Sequence, residues 1–421
     1  RLMVIFMANE SMSSLKQELD ITKRKLQNTN QLYQQVKDRN SYIQKRMSQL
    51  VEEKNNVQEE LLKYQAMDLK LKSKEVVKFR RELHQNPELS YEESETSKRI
   101  IRELEKLPLD EIRTNIGGHG VVGVLKGKDE GKTILLRADI DALPINDQTG
   151  LEFCSLNPGV MHACGHDVHT SILLGAAKVL TEMKDKFSGN ILFTFQPAEE
   201  SPPEGGAKKM IEDGLLENPK VDAVFGLHVW NNPVGKVAFR DGAMMAQSDR
   251  LFVTVKGKAA HASQPENGAD AITCASQIIS SLQTIVSRNT SPFTPLVITI
   301  GTIHGGNRYN VICDDVKLEG TIRVFDKDLA EEIPDRITNL IKPLAESLGC
   351  EADVEIVRGY SVTENDHDLF EVAKKSLTNQ LGEENIIIPE FPASGGEDFS
   401  AYGKHIPSFY MWLGMESELN K

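Results

Sequence analysis

Three imidazoles and a thiol fall within eight consecutive positions, His162-Ala163-Cys164-Gly165-His166-Asp167-Val168-His169. Ring nitrogen and thiolate sulfur together suit borderline-soft transition ions such as Zn²⁺, Mn²⁺, Co²⁺ or Ni²⁺. A lone histidine is usually a satisfied core residue, whereas a Cys/His cluster of this density points to a metal site. Further along, Gln196-Pro197-Ala198-Glu199-Glu200 places two carboxylates side by side. They repel one another, so a cation gives them a reason to be there: one carboxylate binds it while its neighbour acts as general base. Taken alone, the pair also reads as an acidic loop on a solvated surface. A third candidate ligand, His228, lies in Gly226-Leu227-His228-Val229-Trp230. Together the three segments predict a metal centre that activates water.

Such a centre needs elements that bring distant segments to one place. Short apolar runs at Val121–Leu125, Ile134–Ala138, Ile191–Gln196 and Ala223–His228 read as strands. Helical patterns over Leu69–Leu83, Glu92–Leu107, Thr170–Met183 and Ala207–Asp213 alternate with them. This alternation predicts an α/β sheet with helices on its faces. Ligands bind beyond the carboxyl ends of strands in such sheets, which is where Glu199–Glu200 and His228 fall. Residues 250–358 carry a second theme. Strands at Leu251–Lys256, Leu296–Ile303, Val316–Phe325 and Ala352–Arg358 and helices at Asp270–Ser287 and Leu329–Leu348 follow the order β-α-β-β-α-β. That is the order of a ferredoxin-like module. It reads as an insertion, because site-like residues return at Gly395–Ser400.

The first 67 residues differ in texture. Leu19, Leu26, Tyr33, Met47 and Leu61 share one heptad position, and Leu15, Val36, Ile43, Leu50, Val57 and Tyr64 share the other. This repeat predicts a left-handed coiled coil, about fifty residues and roughly 75 Å long, with Asn40 and Lys54 interrupting the seam. The alternative is one long amphipathic helix. A net charge of −13 argues against a nucleic-acid partner, whose phosphates need a basic field. No apolar run is long enough to span a membrane. The five scattered cysteines, with no secretory signal, read as thiols of a cytoplasmic protein. The start at Arg1 reads as that of a fragment or a processed or assembled product.

Arg137-Ala138-Asp139-Ile140-Asp141-Ala142-Leu143-Pro144, His162–His169, Gln196–Glu200, Gly226–His228, Lys258–Ser263 and Gly396–Phe399, in this order and spacing, resemble the metal-dependent aminoacylase-like amidohydrolases. These include hippurate hydrolases, N-acyl-amino-acid deacylases, N-acetyl-diaminopimelate deacetylases and auxin-conjugate hydrolases. The resemblance runs from about Asp68 to the end and covers none of the heptad region. It implies a zinc-peptidase-like α/β catalytic domain (68–249 and 359–421) with an inserted ferredoxin-like lid (250–358) that dimerises, behind the coiled coil (1–67). It further implies two divalent ions (Mn, Zn, Co or Ni) held by Cys164, His166, Glu200 and His228, with Glu199 as general base. Asp139 resembles a carboxylate that orients a ligand, and His261 a lid histidine that stabilises the oxyanion in a partner's site. Asn310 and Arg323 resemble residues that hold a substrate carboxylate, although Arg323 would serve equally in a structural ion pair. The expected activity is hydrolysis of N-acyl amino acids to a carboxylate and a free amino acid. A dipeptidase or carboxypeptidase on the same scaffold is the near alternative, and a coiled-coil scaffold carrying an incomplete hydrolase the distant one. The heptads could add a second association to the homodimer. The family's last ligand, a histidine, and the final helix of the catalytic domain are expected beyond Lys421.

Overall fold

The computed structural model describes residues 73–416 and isolated positions between 23 and 54. The chain divides into residues Arg1–Leu69 and Lys70–Lys421. The coiled coil expected over residues 15–64 lies outside the described residues, apart from those isolated positions, which are helical and exposed.

The second unit opens with helices α1 (residues 73–85) and α2 (Ser94–Leu104). Strands β1 (Glu111–Ile116), β2 (Gly120–Lys126) and β3 (Thr133–Asp139) follow, then helix α3 (His166–Thr181) and strand β4 (Asn190–Gln196). Next come α4 (Gly206–Glu212), β5 (Ala223–Pro233), β6 (Val237–Ala238) and β7 (Gly242–Met245). β1 was not expected from the sequence. It is an edge strand whose Glu111, Asn115 and Arg113 face water or lie half-buried, so it carries no apolar run.

The inserted module comprises β8 (Gln247–Lys256), α5 (Ala271–Arg288), β9 (Leu296–Gly305), β10 (Asp315–Val324), α6 (Lys327–Ser347) and β11 (Glu351–Val357). Its sheet order is β11-β8-β10-β9 with every neighbouring pair antiparallel, the arrangement expected of a ferredoxin-like β-α-β-β-α-β unit. Alternate residues Leu251, Val253, Val255, Val316 and Leu318 point to one face, where Cys274, Ile278 and Leu282 of α5 and Ile333, Ile337 and Ile341 of α6 complete the core.

The chain then adds β12 (Thr363–Asn365), α7 (His367–Leu381), β13 (Ile386–Ile387) and β14 (Ser408–Glu416). The large sheet runs β1-β2-β4-β3-β5-β14-β6-β13. Its centre is parallel, from β4 through β3 and β5 to β14, while β1 pairs antiparallel with β2, β2 with β4, and β6 with β14, and β13 runs parallel to β6. One core packs β2, β3 and β4 against α1, α2 and α3, through Phe79, Leu83, Leu104, Leu174 and Phe195. A second packs β5 and β14 with α4 and α7, through Met210, Phe370, Phe409 and Tyr410. Burial of β2 on both faces explains its continuous apolar run. With β4, β3 and β5 parallel and adjacent, Asp139 lies abreast of Gln196, and the segments following β3 and β4 leave from the same edge of the sheet.

Candidate metal centre

Three elements deliver the donor atoms. After β4 the chain turns through Ala198, whose φ of +55° is left-handed, and this presents Glu199 and Glu200. A non-glycine residue there costs on the order of 1–2 kcal/mol and persists only where its surroundings hold it. β5 carries His228. The third segment ends in α3, which begins at His166 and not at the expected Thr170. Gly165 makes the early start possible: it sits at φ +91°, and a Cβ there would lie 2.5 Å from Val229 Cγ2. The left-handed Gly165 separates Cys164 from His166 and leaves both beside His228.

One ligand atom from each of Cys164, His166 and His228 lies within 4.8 Å of the others, and the same holds for His166, Glu199 and Glu200. Cys164 Sγ is 3.4 Å from His228 Nε2. His166 Nε2 is 3.9 Å from Glu200 Oε1, 4.0 Å from Glu199 Oε2 and 3.7 Å from Asp139 Oδ2. Donors sharing one tetrahedral ion sit about 3.4 Å apart when the bonds are about 2.1 Å, so these spacings suit shared ions. The buried His166 Nε2 has no hydrogen-bond partner and faces carboxylate oxygens of Asp139, Glu199 and Glu200 within 4.0 Å, a setting that favours a cation. The residues present therefore fit a metal.

Hydrogen bonds decide which histidines are free to ligate. His166 Nδ1–H donates to Asp141 Oδ1 at 3.0 Å, leaving Nε2 with its lone pair toward the cluster. His228 Nδ1–H donates to the carbonyl of Val229, which likewise frees Nε2. His169 is fully used. Its Nε2 accepts from Val229 N–H at 2.9 Å, so its proton is on Nδ1, donated to Asp139 Oδ1 at 2.6 Å. His162 stands apart, buried, with neither ring nitrogen partnered and its ring 6.5 Å from that of His84.

Below the cluster, Arg137 is buried and spends its guanidinium on four acceptors. Nε reaches Gln196 at 2.9 Å, Nη1 reaches Asp139 at 2.7 Å, and Nη2 reaches Glu397 at 2.9 Å and Asp398 at 2.6 Å. Asp398 also accepts from the backbone N–H of Gly206 and Ala207, fixing the start of α4. Asp139 thus bonds Arg137 and His169, while the carboxylate that meets the Nδ1 of His166 is Asp141. Asp141 also accepts from Ser90 Oγ at 2.7 Å and Glu200 N–H at 2.9 Å.

The electrostatics are those of an anionic, desolvated site. Burial, then the neighbouring Glu397 and Asp398, push the Glu199 carboxyl well above the usual carboxylate range. Burial also raises Glu200 and the Cys164 thiol. Burial opposes charge on His166, yet Asp139 and Asp141 hold its imidazole above its ordinary value, and the same anions favour a metal cation on Nε2. Burial, then the nearby His169, lower His228 to about 3, so it offers a lone pair at neutral pH.

The remaining predicted residues lie elsewhere. His261 is exposed in the inserted module, where its Nδ1 accepts from Ser263 N–H at 3.2 Å. The carbonyl of Asn310 accepts from Ala262 N–H at 3.0 Å. Arg323 Nε donates to the carbonyl of Ser394 at 3.0 Å, so its guanidinium contacts the segment leading to Glu397–Asp398. Asp141, Glu397 and Asp398 stood inside recognisable motifs but had no assigned task. Glu93 and Tyr360, which touch the Ala198–Glu199 turn, gave no signal in the sequence.

Residues 135–420 match peptidase family M20/M25/M40. The chain is 38% identical over 340 residues to the N-acetylcysteine deacetylase of Bacillus subtilis (strain 168), covering 80% of this chain and 88% of the relative. It is 40% identical over 346 residues to the N-acetyldiaminopimelate deacetylase of Listeria monocytogenes serotype 4b, covering 82% and 91%. Among solved structures it resembles the YXEP protein of Bacillus subtilis, described as a dinuclear metal-binding peptidase of the M20 family. That match has a TM-score of 0.72 and 35% identity, over 83% of this chain and 91% of the other.

Proposed function

This chain belongs to peptidase family M20/M25/M40, and we propose that it hydrolyses the amide bond of N-acyl amino acids, releasing a carboxylate and a free amino acid. It is a metal-dependent amidohydrolase. The observation that carries the reading is the convergence of Cys164, His166, His228 and Glu200 around one unpartnered nitrogen, with Glu199 at their edge.

In this reading Cys164, His166, Glu200 and His228 would hold two divalent ions, from among Mn²⁺, Zn²⁺, Co²⁺ and Ni²⁺. When bound, the metal supplies a water acid enough to lose a proton near neutral pH and draws charge from the amide carbonyl. Glu199 accepts that proton on its carboxylate and returns it to the departing amide nitrogen, so that the amine leaves neutral. Its burial keeps bulk water from competing for the proton. Asp141 holds His166 in the ligating tautomer. Asp139, bridging Arg137 and His169, fixes the floor of the site. His261, on the inserted module, is assigned to the oxyanion, and Asn310 and Arg323 to the substrate carboxylate. A homodimer is assigned to the module, where the ten-residue edge strand β9 exposes Val297 and Ile303.

Purified protein assayed on N-acetyl, N-benzoyl and longer N-acyl amino acids, with Mn²⁺, Co²⁺ or Zn²⁺ added, tests the proposal. Glu199→Ala is expected to lower kcat by about 10²–10⁴-fold, and turnover that survives this change refutes the assignment. Glycine-containing dipeptides run in parallel separate a deacylase from a peptidase.

A further inference from the structure

The Gln196–Glu200 turn is gripped at three successive residues by three different parts of the fold. Ala198 N–H donates to Glu93 Oε1 at 2.7 Å. Glu93 is wholly buried at the start of α2 and does not cap its own helix, so its carboxyl serves this turn. Glu200 N–H donates to Asp141 at 2.9 Å. Between them, the Glu199 carbonyl accepts from the Tyr360 hydroxyl at 2.6 Å.

Tyr360 differs from the other two in its origin. It lies where the chain returns from the inserted module, just after β11. That return is tied to the outgoing crossing: Ser248 N–H donates to the Tyr360 carbonyl at 3.1 Å, and Gly359 N–H to Asp249 Oδ1 at 2.9 Å. The ring is buried and packs within 3.1 Å of where a Cβ on Gly205 would stand. Burial raises the phenol's pKa, so the hydroxyl stays a donor at every working pH.

We propose that Tyr360 is a positioning residue which, through the Glu199 carbonyl, sets the base and its neighbouring ligand Glu200 and makes their placement depend on the module's return crossing. A left-handed alanine preceding the base is a turn with competing conformations. A hydrogen bond to the next carbonyl selects among them. A shift of the module along its two crossings moves the hydroxyl and with it the two carboxylates. This inference rests on the proposed roles of Glu199 and Glu200.

Tyr360→Phe keeps the ring and removes only the hydroxyl. In the full chain, kcat on an N-acetyl amino acid is expected to fall about 10-fold, with KM within about twofold. Affinity for Zn²⁺ or Mn²⁺, read by chelator competition, is expected to weaken by about 10-fold. In a Glu199→Ala background at saturating metal, the same change is expected to cause no further loss of residual rate, while the roughly 10-fold weakening of metal affinity through Glu200 is expected to persist. A merely structural tyrosine would shift the urea midpoint and leave kcat and metal affinity as they were, and that result overturns the proposal. If the parent protein hydrolyses none of the amides, the functional reading fails by itself, and the metal affinity alone then decides Tyr360.

Discussion

Replacing His162 by phenylalanine is a direct probe of the loop that carries Cys164 and His166. The ring is 3% exposed and neither nitrogen has a partner. Burial lowers its pKa from the ordinary 6.5 to about 4, the nearby Asp167 opposing and the His166 and His84 charges assisting. Between those values the unfolded chain binds a proton that the native chain does not, so this group's contribution is intact above pH 6.5 and is lost as the pH falls toward 4. At ~1.4 kcal/mol per unit the full effect is roughly 3.5 kcal/mol, of which about 2.5 kcal/mol is expressed by pH 4.5. Phenylalanine cannot titrate and also removes two unpartnered polar atoms, so the variant is expected to be about 1 kcal/mol more stable at pH 7.5. Glu93 and Asp398, each raised to about 7 by burial, favour the native state as the pH falls, but they act on both proteins and cancel in the difference. Urea unfolding of metal-free protein at pH 7.5 and 4.5 reads the gap. The variant's advantage is expected to widen by about 2.5 kcal/mol in acid. A gap that stays constant with pH refutes the reasoning, because it means that the native state solvates or hydrogen-bonds the imidazole.

Removing the carboxylate behind His166 with Asp141→Ala deletes the acceptors of His166, Ser90 and Glu200. Metal affinity, read by chelator competition, is expected to weaken about 10–100-fold, and unchanged affinity would show that the His166 tautomer needs no support. Arg137→Met leaves Asp139, Glu397 and Asp398 without their shared buried cation. That is expected to cost about 3–5 kcal/mol at pH 7.5 by urea unfolding. Part of the loss should return as the pH drops, because carboxyls whose native pKa has risen above the unfolded value destabilise only while ionised. A loss independent of pH would contradict the electrostatic account.

Much of this was legible in the sequence because the relevant signals are local. Apolar runs marked β2, β3 and β4, and the order of elements over residues 250–358 marked the inserted module, since periodicity depends only on neighbours along the chain. The candidate ligands stood close together, with Cys164 and His166 two apart and Glu199 beside Glu200, so residue type and spacing sufficed to point to a metal. Spacing could not choose among His162, His166 and His169. That choice belongs to the hydrogen bonds of Asp141, Val229 and Asp139, which leave one Nε2 free, use both nitrogens of a second ring and bury a third without partners. β1 gave no apolar signal because an edge strand buries little. The floor of Arg137, Glu397 and Asp398 joins positions up to 261 residues apart, and the Tyr360 grip on Glu199 joins positions 161 apart. The sequence alone determined which chemistry the chain can perform, because donor atoms are a property of residue type. Which atoms are free to perform it was decided by tertiary structure, because a lone pair is available only when the folded surroundings leave it without another partner.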